Sequence, residues 1–459
     1  MNDNITATEL FDRIAQTARQ ADTSQAAKTL HDVLVLACTH GLRGSHHAFG
    51  SLMAQVDRLC RDQHLRAADQ VAIHKMRRDS NRTSEPLHPD DVAADCRALA
   101  LFVSAVFGEG IPHTLSSLLP YSTNTPQQAT EAYWPSIRCV IQAFDNNTLT
   151  VTVDNDLTPL PLVINYTNTP SYRDFTYLRR IFREGMQLNL IRCTVKEGTA
   201  TPQMIVVEPD FLIDISTLAA CFKDYGHHAL NYLVRRMMPS ANSQAILLGN
   251  FAGDVLDAII NSKQFDFNET LRTHFCQKAL EYATCTDTNL PALKQAMNLQ
   301  VENIKGMVDE LFLQFNREKA ILEPSFVCEQ LGVQGRVDLM TSDLRLLVEQ
   351  KSGKNIFIER DFNNEHGGRH IESHYVQVLL YYAVLQQNFG RQNDTRIHLM
   401  YSKYERERGL LEMKPLQALV EEAIKLRNQV VATEFFIARH GFDTLLPSLT
   451  PETIVTQNL

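Results

Sequence analysis

The sequence predicts an α/β fold in three parts: an all-helical N-terminal region, a small β-barrel, and an α/β module whose mixed sheet is flanked by helices. Apolar residues recur at helical spacing from residue 5 to about residue 115. Short alternating segments bounded by turn residues follow from Trp134, and strand-like and helical segments alternate from Glu323 to about Gly441. The predicted parts are residues 1–128, residues 129–215, residues 216–441 with a core at 323–441, and a tail or linker at 442–459.

Length and composition fit a globular protein of about three domains, with 459 residues, 44% of them hydrophobic and 21% charged. The polar start Met1-Asn2-Asp3-Asn4 does not have the pattern of a secretory leader, and no apolar run has the length of a membrane span. We therefore expect a cytoplasmic protein without a membrane partner. The net charge of −9 restricts any nucleic-acid site to a local basic channel.

The nine cysteines are scattered without a CxxC pair, which is typical of reduced thiols in a cytosol. Cys38, His40, His46 and His47 lie close in sequence and raise the question of a zinc site. Their spacing matches no structural zinc pattern, so we do not expect one there.

The N-terminal helices are predicted from long periodic runs at Ala7–Arg19, Ser24–Cys38 and Gly50–His64. The basic, polar stretch Lys75–Arg82 interrupts these runs, and we expect it to be exposed. A break rich in Pro, Ser and Thr follows at Leu119–Gln128.

The barrel is predicted from short strands with one inserted helix, a pattern typical of oligonucleotide-binding barrels. Its strands are Ser136–Ala143 and Thr148–Val153 around an Asp145-Asn146-Asn147 turn, then Leu160–Ile164, Gln187–Val195 and Gln203–Val207, with a helix at Ser171–Glu184. The arginines beside it either line a phosphate groove or form a solvated helix face; they are Arg173, Arg179, Arg180 and Arg183. Helices are predicted next, at Thr217–Met237, Ala245–Asn261 and most of Asn268–Phe315.

The candidate site lies where two strand-like runs end. Asp338 is near the end of the apolar run Leu331–Met340, and a second run leads into Glu349 and Lys351. Alternate side chains of a strand share a face, so Glu349 and Lys351 point together. Two carboxylates and a lysine at adjacent strand ends suit Mg²⁺ or Mn²⁺ and an activated water, an arrangement that hydrolyses phosphodiesters. The alternative interpretation is a surface ion pair at the strand ends.

A helix predicted at Ile371–Asn388 follows the site. His374, Gln377 and Tyr381 fall at i, i+3 and i+7, so one helix face presents all three. For Tyr381, a role in the site and a place in the core are equally consistent with the pattern.

Three blocks of the sequence resemble the RecB-type branch of the PD-(D/E)XK nuclease superfamily, and within it the nuclease region of replication helicase–nucleases that trim 5′ flaps. The likeness covers roughly residues 135–440. The blocks are Glu208–Ile213 with Cys221, Leu247–Phe251, and a catalytic block made of Val333–Asp338, Glu349–Lys354 and His374–Tyr381.

The resemblance implies a restriction-endonuclease-like core and a metal-dependent DNA endonuclease or exonuclease in replication or repair. It implies that Asp338 and Glu349 hold Mg²⁺ or Mn²⁺ and that Lys351 orients the attacking water. Glu323 is a further acidic candidate near the metal. The residues implied to contact DNA or to support the site are Arg336, Lys354, His374, Gln377 and Tyr381.

Two departures from the family pattern stand out. The family carries GxxxH on the helix that begins near Gly249, where its His is a metal ligand, but this chain has Gly253 at that position. Asp254 and Asp257 lie nearby, and Asp254 either replaces the missing ligand or is a solvated helix residue. Many members also bind an iron–sulfur cluster through four cysteines. Cys221 matches the first of them, but no cysteine follows Cys328, so we expect no cluster.

The chain contains no GxxxxGK[ST] phosphate-binding loop. We therefore expect this nuclease to work on single-stranded or flapped DNA with a helicase motor that is fused downstream or supplied in trans. The rival hypothesis is a nucleic-acid-binding or scaffold module whose catalytic site has decayed, which the missing histidine favours and the intact triad of Asp338, Glu349 and Lys351 opposes.

Overall fold

The computed structural model describes residues 5–20, 23, 25–45, 49, 51–81, 86–120, 131–154, 161–167, 173–223, 226–239, 242–262, 264–390 and 394–454. It shows a mixed α/β protein of two compact units, residues 1–210 and 211–459. None of the described helices combines the length and the apolar character needed to cross a membrane.

The first unit begins with helices that pack around one apolar core. They are α1 (Ala7–Arg19), α2 (Ala26–Gly41), α3 (Leu52–Asp62), α4 (Ala67–Ser80), α5 (Pro89–Phe107) and α6 (His113–Ser116). The start of α1 is fixed by a capping box in which Thr6 and Glu9 satisfy each other's backbone N–H groups. Leu10, Leu34 and Leu99, from three different helices, are fully buried together. The helical periodicity of the sequence is thus confirmed in this region.

The expected break at Lys75–Arg82 is wrong, because α4 continues to Ser80. The guanidinium of Arg77 is only 6% exposed and pairs with Asp154, and Arg78 Nη1 lies 3.0 Å from the same carboxylate. A charged side chain can be buried when it is paired, so a run of basic residues does not by itself indicate a loop. Arg82 and most of the predicted break at Leu119–Gln128 lie outside the described residues.

The rest of the described part of the first unit is a sheet of six strands, five of which close into a barrel. The strands are β1 (Glu131–Phe144), β2 (Thr148–Val153), β3 (Leu162–Asn165), β4 (Gln187–Lys196), β5 (Thr199–Thr201) and β6 (Met204–Val207). The order β1-β2-β3-β5-β4 closes through the β1–β4 pair, and β6 adds to β4. Asp145 forms the predicted first turn, since its Oδ1 accepts hydrogen bonds from Asn147 N and Thr148 N at 2.7 and 2.6 Å.

The helix predicted at Ser171–Glu184 is reduced to a 3₁₀ turn at Thr176–Arg180 in the described residues 173–184. Phe175, Leu178 and Phe182 are buried, so the apolar spacing is real. These apolar residues are buried by a short 3₁₀ turn rather than by an extended helix.

The second unit contains short and long helices together with three sheets. Its helices are α7 (Ile215–Ala219), α8 (Leu230–Met237), α9 (Gln244–Asn261), α10 (Phe267–Gln277), α11 (Ala279–Ala283), α12 (Leu290–Gln314), α13 (Ile356–Glu359), α14 (Glu372–Asn388), α15 (Arg406–Gly409), α16 (Gln417–His440) and α17 (Pro451–Ile454). Its strands are β7 (Ile213–Asp214), β8 (Phe222–Lys223), β9 (Gly226–His227), β10 (Ala320–Leu322), β11 (Ser325–Cys328), β12 (Val333–Arg336), β13 (Leu339–Thr341), β14 (Leu346–Lys351), β15 (Arg396–Tyr401) and β16 (Leu410–Met413).

The central sheet has the order β10-β13-β14-β15-β16 and is mixed, because β14 and β15 run parallel while the other pairs are antiparallel. Leu346, Leu347 and Val348 are all fully buried, as expected for a strand covered on both faces. Helices α9 and α12 share a core with Leu346 and Val348. Helix α14 lies against the opposite face, towards which Glu349 and Lys351 point.

Two predicted elements of this unit are divided. The run Leu331–Met340 forms β12 and β13, which belong to different sheets, so Asp338 lies in the connection rather than inside one strand. The helix predicted at Thr217–Met237 is interrupted by the β8–β9 hairpin, and Gly226 there has a φ of +136° that disfavours other residues.

A fully buried arginine connects two distant backbone segments of the second unit. Arg427 of α16 donates from Nη2 to the carbonyl of Phe211 at 2.7 Å and from Nε to the carbonyl of Gly332 at 3.2 Å. A side chain at residue 332 would collide with the guanidinium, since its Cβ would lie 2.3 Å from Nη2. Arg427 therefore ties the first residue of the unit to one of its last helices.

Candidate active site

Strand pairing brings the two predicted metal-binding carboxylates together. β13 and β14 pair with Leu339 across from Val348, and the next step along this register places Asp338 across from Glu349. Asp338 Oδ2 accepts a hydrogen bond of 2.6 Å from the backbone N–H of Gln350. Side chains directly across an antiparallel pair share a face, so both carboxylates lie at one end of the central sheet.

Glu349, Lys351 and Gln377 form a closed hydrogen-bond network. Lys351 Nζ donates to Glu349 Oε1 and to Gln377 Oε1, each at 2.9 Å, and Gln377 Nε2 donates to Glu349 Oε1 at 2.7 Å. The prediction that Glu349 and Lys351 point together is thus confirmed. Gln350 points the other way, as the alternation requires, and its Nε2 donates to the carbonyl of Ala252 on α9 at 3.1 Å.

The second oxygen of Glu349 makes no hydrogen bond, although it is buried and the residue is only 3% exposed. Burial raises the pKa of Glu349 to about 8, and the charge of Asp338 adds to the rise while Lys351 opposes it. Burial also raises the pKa of Asp338. Two desolvated carboxylates, one with a vacant oxygen, are the donors that a hard divalent cation prefers.

Helix α14 places its predicted residues at three different points. Gln377 is in the network with Lys351. Tyr381 is 2% exposed and donates to the carbonyl of Arg336 at 2.7 Å, so it is a core residue that also holds the backbone beside Asp338. His374 Nδ1 lies 3.0 Å from the hydroxyl of Tyr401 on β15, and burial, with the charge of Lys351, lowers the pKa of His374 to about 3.

The remaining predicted contacts lie at the exposed edge of the site. Glu323 pairs with Arg336 through Oε2 and Nη1 at 2.8 Å, and its N–H donates to the carbonyl of Asp338 at 3.0 Å. The Arg336 side chain is 59% exposed, and Lys354 is exposed just beyond β14. These two cations are accessible to a phosphate backbone.

Helix α9 packs closely against the end of β14. A Cβ on Gly249 would lie 3.3 Å from the hydroxyl of Ser352, whereas a Cβ on Gly253 would meet nothing within 4 Å. The position at which the family carries histidine therefore faces open space in this chain. The close approach at Gly249 explains why a small residue is needed there.

Asp254 is held by a histidine that was not among the predicted site residues. Its Oδ2 lies 2.5 Å from Nδ1 of His274, a residue of α10 with no exposed surface, and His274 Nε2 lies 3.0 Å from the hydroxyl of Tyr282. Asp257 is on α9, the helix that carries Asp254. Burial raises the pKa of Asp257 to about 6, and the charges of Glu323, Asp254 and Asp338 add to the effect. Asp257 thus lies within electrostatic range of the candidate site.

In the described part of the chain, Asp254 and Glu323 do not join Asp338 and Glu349 in a group whose ligand atoms all lie within 4.8 Å of one another. Such a group is formed elsewhere, by Glu365, His366 and Glu372.

The cysteines considered for the iron–sulfur cluster and the zinc site, Cys221 and Cys38, are both buried. Cys221 donates to the carbonyl of Thr217, and burial raises the pKa of its thiol to about 11. Burial raises the pKa of Cys38 to about 12, and His40 stacks on Phe107 with ring centroids 4.0 Å apart. His46 and His47 lie outside the described residues.

The arginines beside the barrel differ in burial and in their contacts. Arg183 pairs with Glu208 at 2.5 Å, and Arg179 donates to the carbonyl of Asn146. Arg180 is exposed and Arg173 is half-buried. Arg179 and Arg183 are thus bonded to groups of the protein itself.

Comparison with known proteins gives no match: no protein-family model matches the chain, and no curated protein resembles it at a significant level.

Proposed function

We propose that residues 211–441 form a metal-dependent DNA nuclease of the PD-(D/E)XK type with a restriction-endonuclease-like core. The observation that carries the proposal is the placement of Asp338, just before β13, beside Glu349 of β14. Asp338 accepts a hydrogen bond from the backbone N–H of Gln350, and Lys351 is bonded to Glu349. A surface ion pair does not require burial, yet Glu349 is almost fully buried and keeps an oxygen without a hydrogen-bond partner. Buried polar atoms usually have a hydrogen-bond partner, and a bound cation would supply a partner for this oxygen.

Asp338 and Glu349 would hold Mg²⁺ or Mn²⁺, ions that commonly keep several waters beside one or two carboxylates. The ion supplies a water of lowered pKa and neutralises charge on the scissile phosphate. Lys351 is held on the carboxylate side by Glu349 and Gln377, which leaves its third N–H to orient the attacking water or to stabilise charge on the phosphate. Arg336 and Lys354 would contact neighbouring phosphates.

The preceding barrel supports single-stranded or flapped DNA as the substrate. Small closed barrels of five strands include the oligonucleotide-binding type, and we assign that role to residues 131–207. Since the chain has no phosphate-binding loop of the P-loop type, the single-stranded ends would come from a helicase motor, fused or separate, during replication or repair.

The test is cleavage of a labelled single-stranded DNA in Mg²⁺ or Mn²⁺ by the wild-type chain and by Glu349→Gln and Lys351→Ala. Both variants are expected to lose about 100-fold or more in rate with the fold intact by circular dichroism, since each removes a group that acts on the reacting phosphate. Lys403→Ala is the matched control, because Lys403 is a partly exposed lysine paired with Glu359. Undiminished cleavage in either site variant would exclude the proposed site.

A decayed nucleic-acid-binding module is the second candidate. It is favoured by one observation, the open space at Gly253 where the family has a metal ligand. DNA binding without metal-dependent cleavage, unaffected by Glu349→Gln, is the result that this candidate predicts.

A further inference from the structure

A second group of metal-binding side chains lies apart from the carboxylates of the candidate active site. Glu365 and His366 are in the loop before α14, and Glu372 is in the first turn of that helix. One ligand atom from each of the three lies within 4.8 Å of the other two. His227, on β9, lies on the far side of Glu372, with Nε2 3.5 Å from Oε2.

The contacts in this group are longer than hydrogen bonds and lie in the range of ion pairs. His366 Nε2 lies 3.6 Å from Glu372 Oε1 and 3.7 Å from Glu365 Oε1, which is too long for a hydrogen bond. Two ligand atoms bound to one tetrahedral zinc ion at its usual bond lengths are about 3.3 Å apart. By contrast, the His274–Asp254 pair of the same unit is in direct contact at 2.5 Å.

A buried imidazole beside the group also lacks a partner. His370 is only 3% exposed, and its Nε2 makes no hydrogen bond. Its ring is parallel to that of His366, with centroids 6.4 Å apart and an angle of 7° between the planes.

The two oxygens of the Glu372 carboxylate face different histidines. His366 Nε2 lies 3.6 Å from Oε1, and His227 Nε2 lies 3.5 Å from Oε2. A ligand set of one or two imidazoles with two carboxylates suits Zn²⁺ better than Mg²⁺, which prefers oxygen alone.

We propose that Glu365, His366 and Glu372 bind a structural divalent cation of the zinc type, and that His227 positions the carboxylate of Glu372. The ion joins the loop before α14 to the first turn of the helix, and His227 connects this joint to the β8–β9 hairpin. A metal ligand is usually oriented by a second side chain of this kind, whose loss weakens binding by about 10- to 100-fold. The proposal of this cation site does not depend on the proposed nuclease function.

The experiment is a titration of the full chain with Co²⁺, a spectroscopic substitute for Zn²⁺, in excess Mg²⁺ to saturate sites made of oxygen. The wild type is expected to take up one equivalent with the absorption of histidine-bound Co²⁺. His366→Ala should lose this uptake, and His227→Ala should bind about 10- to 100-fold more weakly. Two controls should bind like the wild type: Glu349→Gln, in the candidate active site, and His113→Ala, which removes an exposed histidine of α6.

Glu372→Gln provides a second variant of nearly the same shape if His366→Ala does not fold. It should also abolish the rise in melting temperature that Zn²⁺ gives to the wild type, because an ion that binds only the folded state stabilises it. No uptake by the wild type would overturn the proposal. Uptake that persists in His366→Ala and Glu372→Gln, or that is lost in Glu349→Gln, would assign the ion to another site and would equally overturn it.

Discussion

Gly335 shows how a single missing side chain positions the candidate active site. A Cβ at this residue of β12 would lie 2.9 Å from the hydroxyl of Tyr381 and 3.0 Å from its ring. Tyr381 in turn bonds the carbonyl of Arg336, two residues before Asp338. The glycine is therefore required by a close approach of α14 to the strand, and its substitution disturbs the backbone that carries Asp338.

We predict that Gly335→Ala destabilises the second unit by about 1–3 kcal/mol, since an extra methyl group in a packed site forces its neighbours to move. Urea denaturation monitored by circular dichroism measures the change. Gly353→Ala is the matched control, because a Cβ there meets nothing within 4 Å. A Gly335→Ala variant as stable as this control would contradict the close packing of Tyr381.

Asp95 gives the first unit a pH-dependent stability. It is 2% exposed on α5, and its Oδ2 has no hydrogen-bond partner. Burial raises its pKa to about 7; Lys75 opposes the rise, and Asp79 and Asp91 add to it. Because the folded pKa lies above the unfolded value, Asp95 favours the folded state at low pH, and this contribution is lost as the pH rises through about 7.

Asp95→Asn should therefore be more stable than the wild type at pH 8, by up to about 4 kcal/mol, and should show little difference near pH 4. The measurement is the urea midpoint of the wild type and the variant across this range. Asp91→Asn, which removes a half-exposed carboxylate of the same helix, is the comparison. A stability difference that does not change with pH would show that Asp95 does not titrate in this range.

At the scale of elements, α9 decides what replaces the missing metal ligand. Asp254 directly follows Gly253 on α9, and His274 of α10 contacts one of its carboxylate oxygens. If Asp254 assists metal binding, Asp254→Ala should raise the Mg²⁺ concentration for half-maximal cleavage by about tenfold, and His274→Ala should act in the same direction. Asp309→Ala, on an exposed face of α12, should have no effect. An unchanged metal dependence in Asp254→Ala would assign this residue to structure alone.

The elements that the sequence predicted correctly are those with strong local signals. β14 was predictable because Leu346–Val348 is continuously apolar. α14 was predictable because His374, Gln377 and Tyr381 fall on one helix face. The closed barrel was predictable from its short alternating strands and the Asp145 turn. The restriction-endonuclease-like core and the roles of Asp338, Glu349 and Lys351 stay predictions, which the cleavage assay tests.

The errors arise where tertiary contacts override a local pattern. Arg77 is buried by its pair with Asp154, which lies far away in sequence, so α4 continues through a stretch that reads as a polar break. The β8–β9 hairpin divides a predicted helix in the same way. His274 was not predictable, because a lone histidine in an amphipathic helix carries no signal until Asp254 is placed beside it.

At the scale of the whole molecule, we expect the proposed nuclease to work with a helicase motor, because the sequence contains no P-loop motif. We predict that the isolated chain shows no DNA-stimulated ATP hydrolysis, since it lacks the phosphate-binding loop. It should cleave flapped DNA in Mn²⁺ or Mg²⁺ and leave blunt duplex largely intact, because single strands must be supplied to it. Phosphate release and gel assays on both substrates measure this. Intrinsic ATPase activity, or efficient cutting of blunt duplex, would contradict the assignment.

The buried guanidinium of Arg427 determines where a fragment that contains the second unit can begin. Its bond to the carbonyl of Phe211 means that a fragment beginning after this residue leaves a buried cation without one of its acceptors, and a hydrogen bond to a charged group contributes about 1.5–3 kcal/mol. A fragment beginning a few residues earlier keeps that bond. Proteolytic trimming and recombinant dissection therefore share one boundary, immediately before Phe211, and a stable autonomous fragment must include it.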